Sequence, residues 1–190
     1  MRVAEGLRAG IYRAGLPEFT SLQDWGKHFF PHYCKLPFGK HHQELGVDLW
    51  QLRTSRGQRL AYQAPRSYAK STFISFFLPI LAAVEKTDNY ILLLADTSGQ
   101  AMKYLKAIRH ELEHNEELAR AYPEACGEGA EWNDASLLLR NGVRIEALST
   151  GQKIRGRKQN ADRPGLVIGD DLQGDEAQFS QTVRDHDWEW

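Results

Sequence analysis

The segment from Ala64 to Thr72 contains the residue types with which proteins bind phosphate groups. In the register of a phosphate-binding loop, GxxxxGK[ST], it reads APRSYAKS and places Lys70 and Ser71 at the last two positions. Such a loop presents backbone N–H groups and a helix N-terminus to an anion. Its lysine reaches the outer phosphates, and its hydroxyl is a ligand of Mg²⁺. Both glycines of the pattern are alanine here, and we expect alanine to make these turns only at negative φ. An ordinary loop leading into a core helix is the alternative interpretation.

Two adjacent carboxylates, Asp170 and Asp171, follow the apolar run LVIG at 166–169. A buried strand of this kind ends at the edge of an α/β sheet where ligands bind. One carboxylate there can organise the shell of a Mg²⁺ ion while its neighbour activates a water for attack on a phosphate. An Asp-rich turn is the alternative. The phosphate loop and the acidic pair nevertheless occur in the order that a nucleotide site requires.

A basic segment, QKIRGRKQNADR at 152–163, contains five Lys and Arg residues against one acid. Its arginines, Arg155, Arg157 and Arg163, are suited to phosphate because the planar guanidinium matches phosphate oxygens better than an ammonium does. They could act near the phosphates or on the site of a neighbouring subunit. The alternative is a solvated loop.

The apolar patterns predict the elements that position these residues. Residues 1–50 are typical of a helical N-terminal lead, with Thr20 or Ser21 as the N-cap of one helix. A short strand at 58–64 is expected before the loop, and an apolar helix over 71–85 after it.

Further along, the continuous apolar run at 90–95 predicts a strand buried on both faces. An amphipathic helix starts at Ser98, with an apolar face formed by Met102, Leu105, Ile108 and Leu112. Two strand-like runs then flank Asn141-Gly142, a strong hairpin signal. Residues 51–190 are therefore expected to form one α/β domain with a mostly parallel central sheet flanked by helices.

Composition places the chain among soluble globular proteins. Its 190 residues suffice for one domain with a core, and the net charge of −1 excludes a global basic field for nucleic acid. The two cysteines, Cys34 and Cys126, lie far apart and are expected to be reduced and incidental. The N-terminus lacks the apolar stretch of a signal peptide, and the apolar run at 73–84 is too short to span a bilayer. We therefore expect a soluble, cytoplasmic protein.

Taken together, these motifs resemble the N-terminal ATPase domain of the large terminase subunit of tailed bacteriophages. Members of this family carry a divergent phosphate loop of the form Pro-Arg-x-x-x-Lys-Ser/Thr, and APRSYAKST is similar to it. The hairpin, the Arg-Gly segment and the strand ending in Asp-Asp continue the resemblance, which covers roughly residues 35–188. It implies a RecA-like P-loop NTPase fold behind the helical lead.

The resemblance also implies roles for individual residues. Lys70 would contact the β- and γ-phosphates, Ser71 and Asp170 would hold Mg²⁺, and Asp171 would be the catalytic carboxylate. Arg66 would clamp the γ-phosphate, and Arg155 would act as an arginine finger across a subunit interface, with Arg157 and Arg163 as rivals. The remaining ATP-binding positions of the loop would be Pro65, Ser67, Tyr68, Ala69 and Thr72.

The segment FGKHHQEL is similar to the part of the family that contacts adenine, which implies nucleotide binding by Gln43. The beginning of a helix with an exposed His41 and His42 pair is an equally good interpretation. A His and Cys metal site at His28, His32 and Cys34 is a minor alternative, since no second pair of ligands accompanies it.

At the level of function, the resemblance implies an ATP- and Mg²⁺-dependent motor that packages double-stranded DNA into a procapsid. Its partners would be DNA, contacted at the backbone, the portal protein and the small terminase subunit. The motor would be a homo-oligomeric ring in the host cytoplasm, transiently at the portal vertex and not in a membrane.

The family's nuclease site has no counterpart in these residues, so we expect the ATPase domain alone, with weak or no activity in isolation. Two alternatives stay open. One is another RecA-like motor such as a helicase, although the Asp-Glu-Ala-His sequence of helicases is missing. The other is a non-catalytic assembly protein that retains the fold.

Overall fold

The structure is a computed structural model that describes residues 16–152, 157–158 and 162–172. Its helices are α1 (Leu22–Phe29), α2 (Lys40–Gln51), a π-helical segment (Thr72–Phe77), α3 (Leu78–Val84), α4 (Ser98–His114) and α5 (Glu116–Ala121). Its strands are β1 (Tyr90–Ala95), β2 (Glu131–Trp132), β3 (Ser136–Leu138), β4 (Arg144–Ser149) and β5 (Leu166–Gly169). The α/β class expected from the sequence is confirmed.

The five strands of the described residues form one sheet in the order β2-β3-β4-β1-β5. The central strand β1 pairs in parallel with both β4 and β5. The β2–β3 and β3–β4 pairs are antiparallel. The expectation of a mostly parallel sheet is therefore wrong, and the sheet is mixed. The hairpin at Asn141-Gly142 is the physical reason, because so short a connection can join only antiparallel strands.

That hairpin is itself confirmed. Gly142 has a φ of +87°, and the N–H of Gly142 donates to the carbonyl of Leu139. A positive φ is accessible to glycine without a steric cost, which explains why the chain reverses at this residue. The turn positions β4 beside β3.

The strand expected at 58–64 is absent, since the structure has irregular backbone there. Strand β5 lines a cavity of about 360 Å³ together with Gln58, Leu60, Ala61 and Tyr62. The segment thus faces β5 across an open space, and β5 is paired in the described sheet only with β1. A strand needs a hydrogen-bonding neighbour, and the sequence of this segment does not show whether one exists.

The core lies between the sheet and the helices. Strand β1 is buried along its whole length, as predicted, with Ile91, Leu93 and Ala95 in the main hydrophobic cluster. The apolar face of α4 is also confirmed, because Leu105, Ile108 and Leu112 are buried, while Met102 is partly buried.

The two helices before the loop belong to the same cluster. Leu22, Trp25 and Phe29 of α1 and Leu49 of α2 are buried with the residues that pack on the sheet. Ser21 is the N-cap of α1, and its side chain accepts a hydrogen bond from the N–H of Asp24. The boundary between a lead and an ATPase domain at residue 50 stays a prediction.

The helix expected over 71–85 is observed, but its first half is π-helical. Helical backbone begins at Lys70, continues through the π-helical segment and ends with α3 at Val84. Pro79 directly follows the π-helical segment, where Leu78 donates to the carbonyl five residues back and the regular i→i−4 pattern is already interrupted, so its missing N–H is tolerated. Within the described residues, no helix combines the length and the apolar character needed to cross a bilayer.

Candidate functional site

The loop from Pro65 to Ala69 ends directly at this helix. Ser67 and Ala69 have φ values of +67° and +53°. The expectation that alanine keeps negative φ is therefore wrong at Ala69, which replaces the second glycine of the motif. Left-handed backbone costs an L-residue about 1–2 kcal/mol, and alternating φ signs shape the concave backbone that binds anions. The loop thus keeps a glycine-like conformation without the glycine.

Lys70 and Ser71 meet Asp170 across a long stretch of sequence. The Nζ of Lys70 lies 3.0 Å from Oδ1 of Asp170, and the hydroxyl of Ser71 donates to Oδ2 at 2.5 Å. Lys70 and Ser71 start the helix, whereas Asp170 follows β5 at the carboxyl ends of the three parallel strands. The fold therefore unites the two motifs at the sheet edge where α/β proteins bind ligands.

Asp170 is 4% exposed and is held by two further hydroxyls. Ser75, in the π-helical segment, donates to Oδ2 at 3.2 Å, and Tyr104 of α4 donates to the same oxygen at 2.9 Å. Burial alone would raise the pKa of Asp170, but the hydrogen bonds from Ser71, Lys70 and Tyr104 outweigh it and hold the pKa below its ordinary value. Asp170 is therefore ionised at neutral pH.

The partners of Asp170 respond to its charge. The hydrogen bond from Lys70 to this carboxylate raises the pKa of Lys70, so the ammonium stays charged. Burial raises the pKa of Tyr104, and Asp170 adds to the rise, so the phenol remains a donor. The site thus holds a fixed cation, a fixed anion and neutral hydroxyls between them.

Asp171 differs sharply from its neighbour. Its side chain is 79% exposed, and its Oδ1 lies 3.7 Å from the Nζ of Lys70. Its backbone has a φ of +49°, and its carbonyl accepts a hydrogen bond from the N–H of Asp96 at the end of β1. Asp171 therefore presents a carboxylate to solvent beside Lys70, where a water molecule can reach it.

The start of α2 contacts the loop. The ring of His41 lies 4.6 Å from that of Tyr68, between centroids, and Nε2 of His42 lies 3.2 Å from the Tyr68 carbonyl oxygen. Nδ1 of His42 accepts from the N–H of Gly39, so Nε2 carries the proton of the neutral ring and donates to Tyr68. Gln43, the predicted nucleotide contact, is exposed on the same helix.

Burial and the neighbouring His41 lower the pKa of His42, which keeps this ring neutral near pH 7. Its ring stacks on Phe73 with centroids 5.6 Å apart. The sequence left two interpretations of the His pair open, a segment that contacts adenine and the exposed start of a helix. The contact of the pair with the loop followed from no sequence pattern.

The other predicted positions are less engaged. Pro65 and Arg66 are exposed, and Thr72 is half-buried at the start of the π-helical segment. Arg155 lies outside the described residues. Arg157 forms an ion pair with Glu146 of β4, and Arg163 is exposed just before β5.

Two residues of the site escaped the sequence analysis. Ser75 and Tyr104 both donate to Asp170, yet each lies within a helix whose spacing indicates core packing. A polar hydroxyl inside the apolar run FISFFLPILAAV was the available signal for Ser75. For Tyr104 no local signal exists, because its role depends on how α4 lies across the sheet.

The donor chemistry of the site fits Mg²⁺ in combination with phosphate. Mg²⁺ prefers oxygen ligands and is held in nucleotide sites by one or two protein groups plus phosphates, and Asp170 and Ser71 supply such oxygens. Among the described residues, no group of three or more His, Cys, Asp and Glu side chains is arranged to hold a metal. His32 of the minor alternative instead contacts Glu111, with Nε2 2.9 Å from its Oε1.

No protein-family model matches the chain, and no curated protein matches it in sequence. The resemblance to terminases therefore remains a prediction that rests on the residues quoted for it.

Proposed function

We propose that this chain is a Mg²⁺-dependent ATPase with a P-loop fold, and that it is the motor domain of a viral DNA-packaging terminase. The contact of Lys70 and Ser71 with Asp170, at 3.0 and 2.5 Å, is the observation that carries the ATPase part. These residues come from the two motifs that a nucleotide site requires. The terminase part is carried by the Pro-Arg form of the loop.

Each residue has a role that follows from its surroundings. Lys70 supplies a fixed positive charge to the outer phosphates, and Ser71 and Asp170 would hold Mg²⁺. Bound Mg²⁺ neutralises charge on the phosphate oxygens. Asp171 is solvent-exposed beside Lys70 and orients the water that attacks the γ-phosphate.

Two arginines complete the proposed chemistry. Arg66 lies in the loop and clamps the γ-phosphate. Arg155 acts from a neighbouring subunit in a homo-oligomeric ring, where an arginine finger stabilises the charge of the transition state.

The partners in this proposal are double-stranded DNA, the portal protein and the small terminase subunit, in the host cytoplasm. DNA would be contacted mainly at its phosphates, so binding is expected to weaken steeply with salt. This part of the proposal is supported by the sequence resemblance alone.

Hydrolysis measurements on the full chain test the enzymatic claim. With saturating ATP and Mg²⁺, Asp171→Asn is expected to lower kcat about 100-fold or more with little change in nucleotide affinity, as for loss of a general base. Lys70→Ala is expected to weaken both binding and turnover. Asp134→Asn is the control, because Asp134 is an exposed acid paired with Lys106.

Two results would contradict the proposal. If the wild type hydrolyses ATP no faster than Lys70→Ala, the chain is not an ATPase. Nucleotide binding without turnover would then identify the non-catalytic alternative. Equal activity of Asp171→Asn and wild type would remove Asp171 from the catalytic role.

A further inference from the structure

We propose that Tyr104 is a positioning residue that orients the carboxylate of Asp170, so that only its Oδ1 atom is open to an incoming Mg²⁺ ion. The inference rests on the proposed nucleotide site and extends it to a residue of α4 outside both sequence motifs. Tyr104 does not touch the phosphates in this account. It acts through Asp170.

The Oδ2 atom of Asp170 already accepts several hydrogen bonds. This oxygen accepts hydrogen bonds from Ser71 at 2.5 Å, Tyr104 at 2.9 Å and Ser75 at 3.2 Å. A carboxylate oxygen offers about two lone-pair sites, so three hydroxyl donors saturate it. Asp170 is 4% exposed, so these hydroxyls, and not bulk solvent, supply the hydrogen bonds of this atom. Oδ2 is therefore closed to a further cation.

The other carboxylate oxygen of Asp170, Oδ1, contacts Lys70. This oxygen lies 3.0 Å from the Nζ of Lys70, whose side chain is 27% exposed. It is thus the carboxylate oxygen that already faces a cation on the open side of the site. A divalent cation and Lys70 compete for it, and a cation that takes it leaves the ammonium of Lys70 to the phosphates.

Gln100 sets the orientation of the Tyr104 hydroxyl. The amide Nε2 of Gln100 donates to the Tyr104 hydroxyl oxygen at 3.0 Å. With its oxygen engaged as an acceptor, the hydroxyl is left with its own proton to donate, and Asp170 receives it. Gln100 and Tyr104 lie one helical turn apart on α4, so a rigid element fixes the carboxylate.

The test compares Tyr104→Phe with wild type in two assays on the full chain. The first follows the melting temperature at saturating ATP as a function of Mg²⁺ concentration. Tyr104→Phe removes a hydrogen bond to a charged group, although Ser71 and Ser75 still donate to the same oxygen. We therefore expect the half-saturating Mg²⁺ concentration to rise about fivefold or more. Gln100→Leu is expected to raise it by a smaller factor.

Tyr122→Phe is the matched control. The Tyr122 hydroxyl accepts a buried hydrogen bond from Nε1 of Trp25 at 3.3 Å, so its loss lowers stability at a distance from the site. We expect this variant to melt at a lower temperature without ligand but to keep the wild-type Mg²⁺ dependence. A purely structural role of Tyr104 would make its variant behave in the same way.

The second assay needs no nucleotide. Binding of Mn²⁺, as a spectroscopic substitute for Mg²⁺, is followed by the electron paramagnetic resonance of the free ion. Tyr104→Phe is expected to bind Mn²⁺ several-fold more weakly than wild type and Tyr122→Phe.

The outcomes separate the two proposals. Mn²⁺ binding that depends on Tyr104, without any effect of ATP on melting, would overturn the nucleotide site and leave the positioning role in place. An ATP effect whose Mg²⁺ dependence is equal in Tyr104→Phe and wild type would overturn the positioning role alone. Absence of both Mn²⁺ binding and an ATP effect in the wild type would overturn both.

Discussion

The carboxylate of Asp170 is the point where the residues of the candidate site meet. It is buried, and the hydroxyls of Ser71, Ser75 and Tyr104 and the ammonium of Lys70 surround it. Transfer of a carboxylate from water into the protein interior costs free energy, and these hydrogen bonds and the ion pair offset that cost. A buried, charged and fully hydrogen-bonded group beside an exposed carboxylate is typical of a functional site.

The pH dependence of stability follows from this environment. Because the pKa of folded Asp170 lies below the ordinary value of 3.8, the ionised group stabilises the fold above that pH, and its contribution is lost as the pH falls through the lower folded pKa. Asp170→Asn lacks this contribution. The difference in free energy of unfolding between wild type and variant should therefore shrink below about pH 4. Urea unfolding at a series of pH values measures it, and a difference that stays constant across the range would contradict the assignment.

The backbone of the loop at Ala69 leads to a second prediction. Ala69 has a φ of +53°, which glycine adopts without a Cβ clash. Ala69→Gly is expected to raise the free energy of unfolding by up to about 1 kcal/mol, because it relieves strain that exceeds the entropy added to the unfolded chain.

Ala64→Gly is the matched control at the other glycine position of the motif. Ala64 is not among the described residues with positive φ, so glycine there should destabilise the protein by about 0.5 kcal/mol. Chemical denaturation measures both variants. If Ala69→Gly lowers the free energy of unfolding as Ala64→Gly does, the backbone at Ala69 is not strained.

At the scale of elements, three of them converge on Asp170: β5, which precedes it, the helix that starts at Lys70, and α4. Continuous apolar runs predicted β5 and the helix after Lys70, and an apolar face at helical spacing predicted α4. The strand predicted at 58–64 does not form, because strand pairing depends on a neighbour elsewhere in the chain that the local pattern cannot show. Local patterns also could not predict Tyr104 or Ser75, whose partners are set by the packing of one element on another.

The packing of α1 on the π-helical segment gives a prediction. A Cβ atom at Gly26 would lie 2.6 Å from Cε2 of Phe77, a ring that is fully buried and cannot move aside. Gly26→Ala is therefore expected to destabilise the protein by about 1–3 kcal/mol, despite the better helix propensity of alanine.

Gly99 in the first turn of α4 is the matched control. A Cβ atom there would meet no atom within 4 Å, so Gly99→Ala should be neutral or stabilising by up to about 1 kcal/mol. Thermal or denaturant unfolding compares the two variants. A stabilising Gly26→Ala would show that α1 does not pack closely on Phe77.

At the scale of the whole molecule, the α/β class and the meeting of the two motifs could be predicted from sequence, whereas the mixed sheet was indicated only in part, by the hairpin at Asn141-Gly142. Lys70, Ser71 and Asp170 were paired because strand ends meet at one edge of a sheet, and the structure brings them within hydrogen-bonding distance. The antiparallel side of the sheet was underestimated because β2, at Glu131–Trp132, is too short to give a pattern. The positive φ of Ala69 had no signal, since the residue type argues against it.

The melting temperature of the full chain with and without millimolar ATP and Mg²⁺ is the measurement that shows whether the loop at Lys70 binds nucleotide. A ligand that binds only the folded state stabilises it, and at 100 times its Kd the effect is about 2.7 kcal/mol, or about 5 to 10 °C for a chain of this size. We expect such a rise in the wild type and in the variant Lys106→Ala, which changes an exposed lysine on α4, and we expect its loss in Lys70→Ala. No rise in the wild type, or an equal rise in Lys70→Ala, would contradict the claim that this loop binds nucleotide.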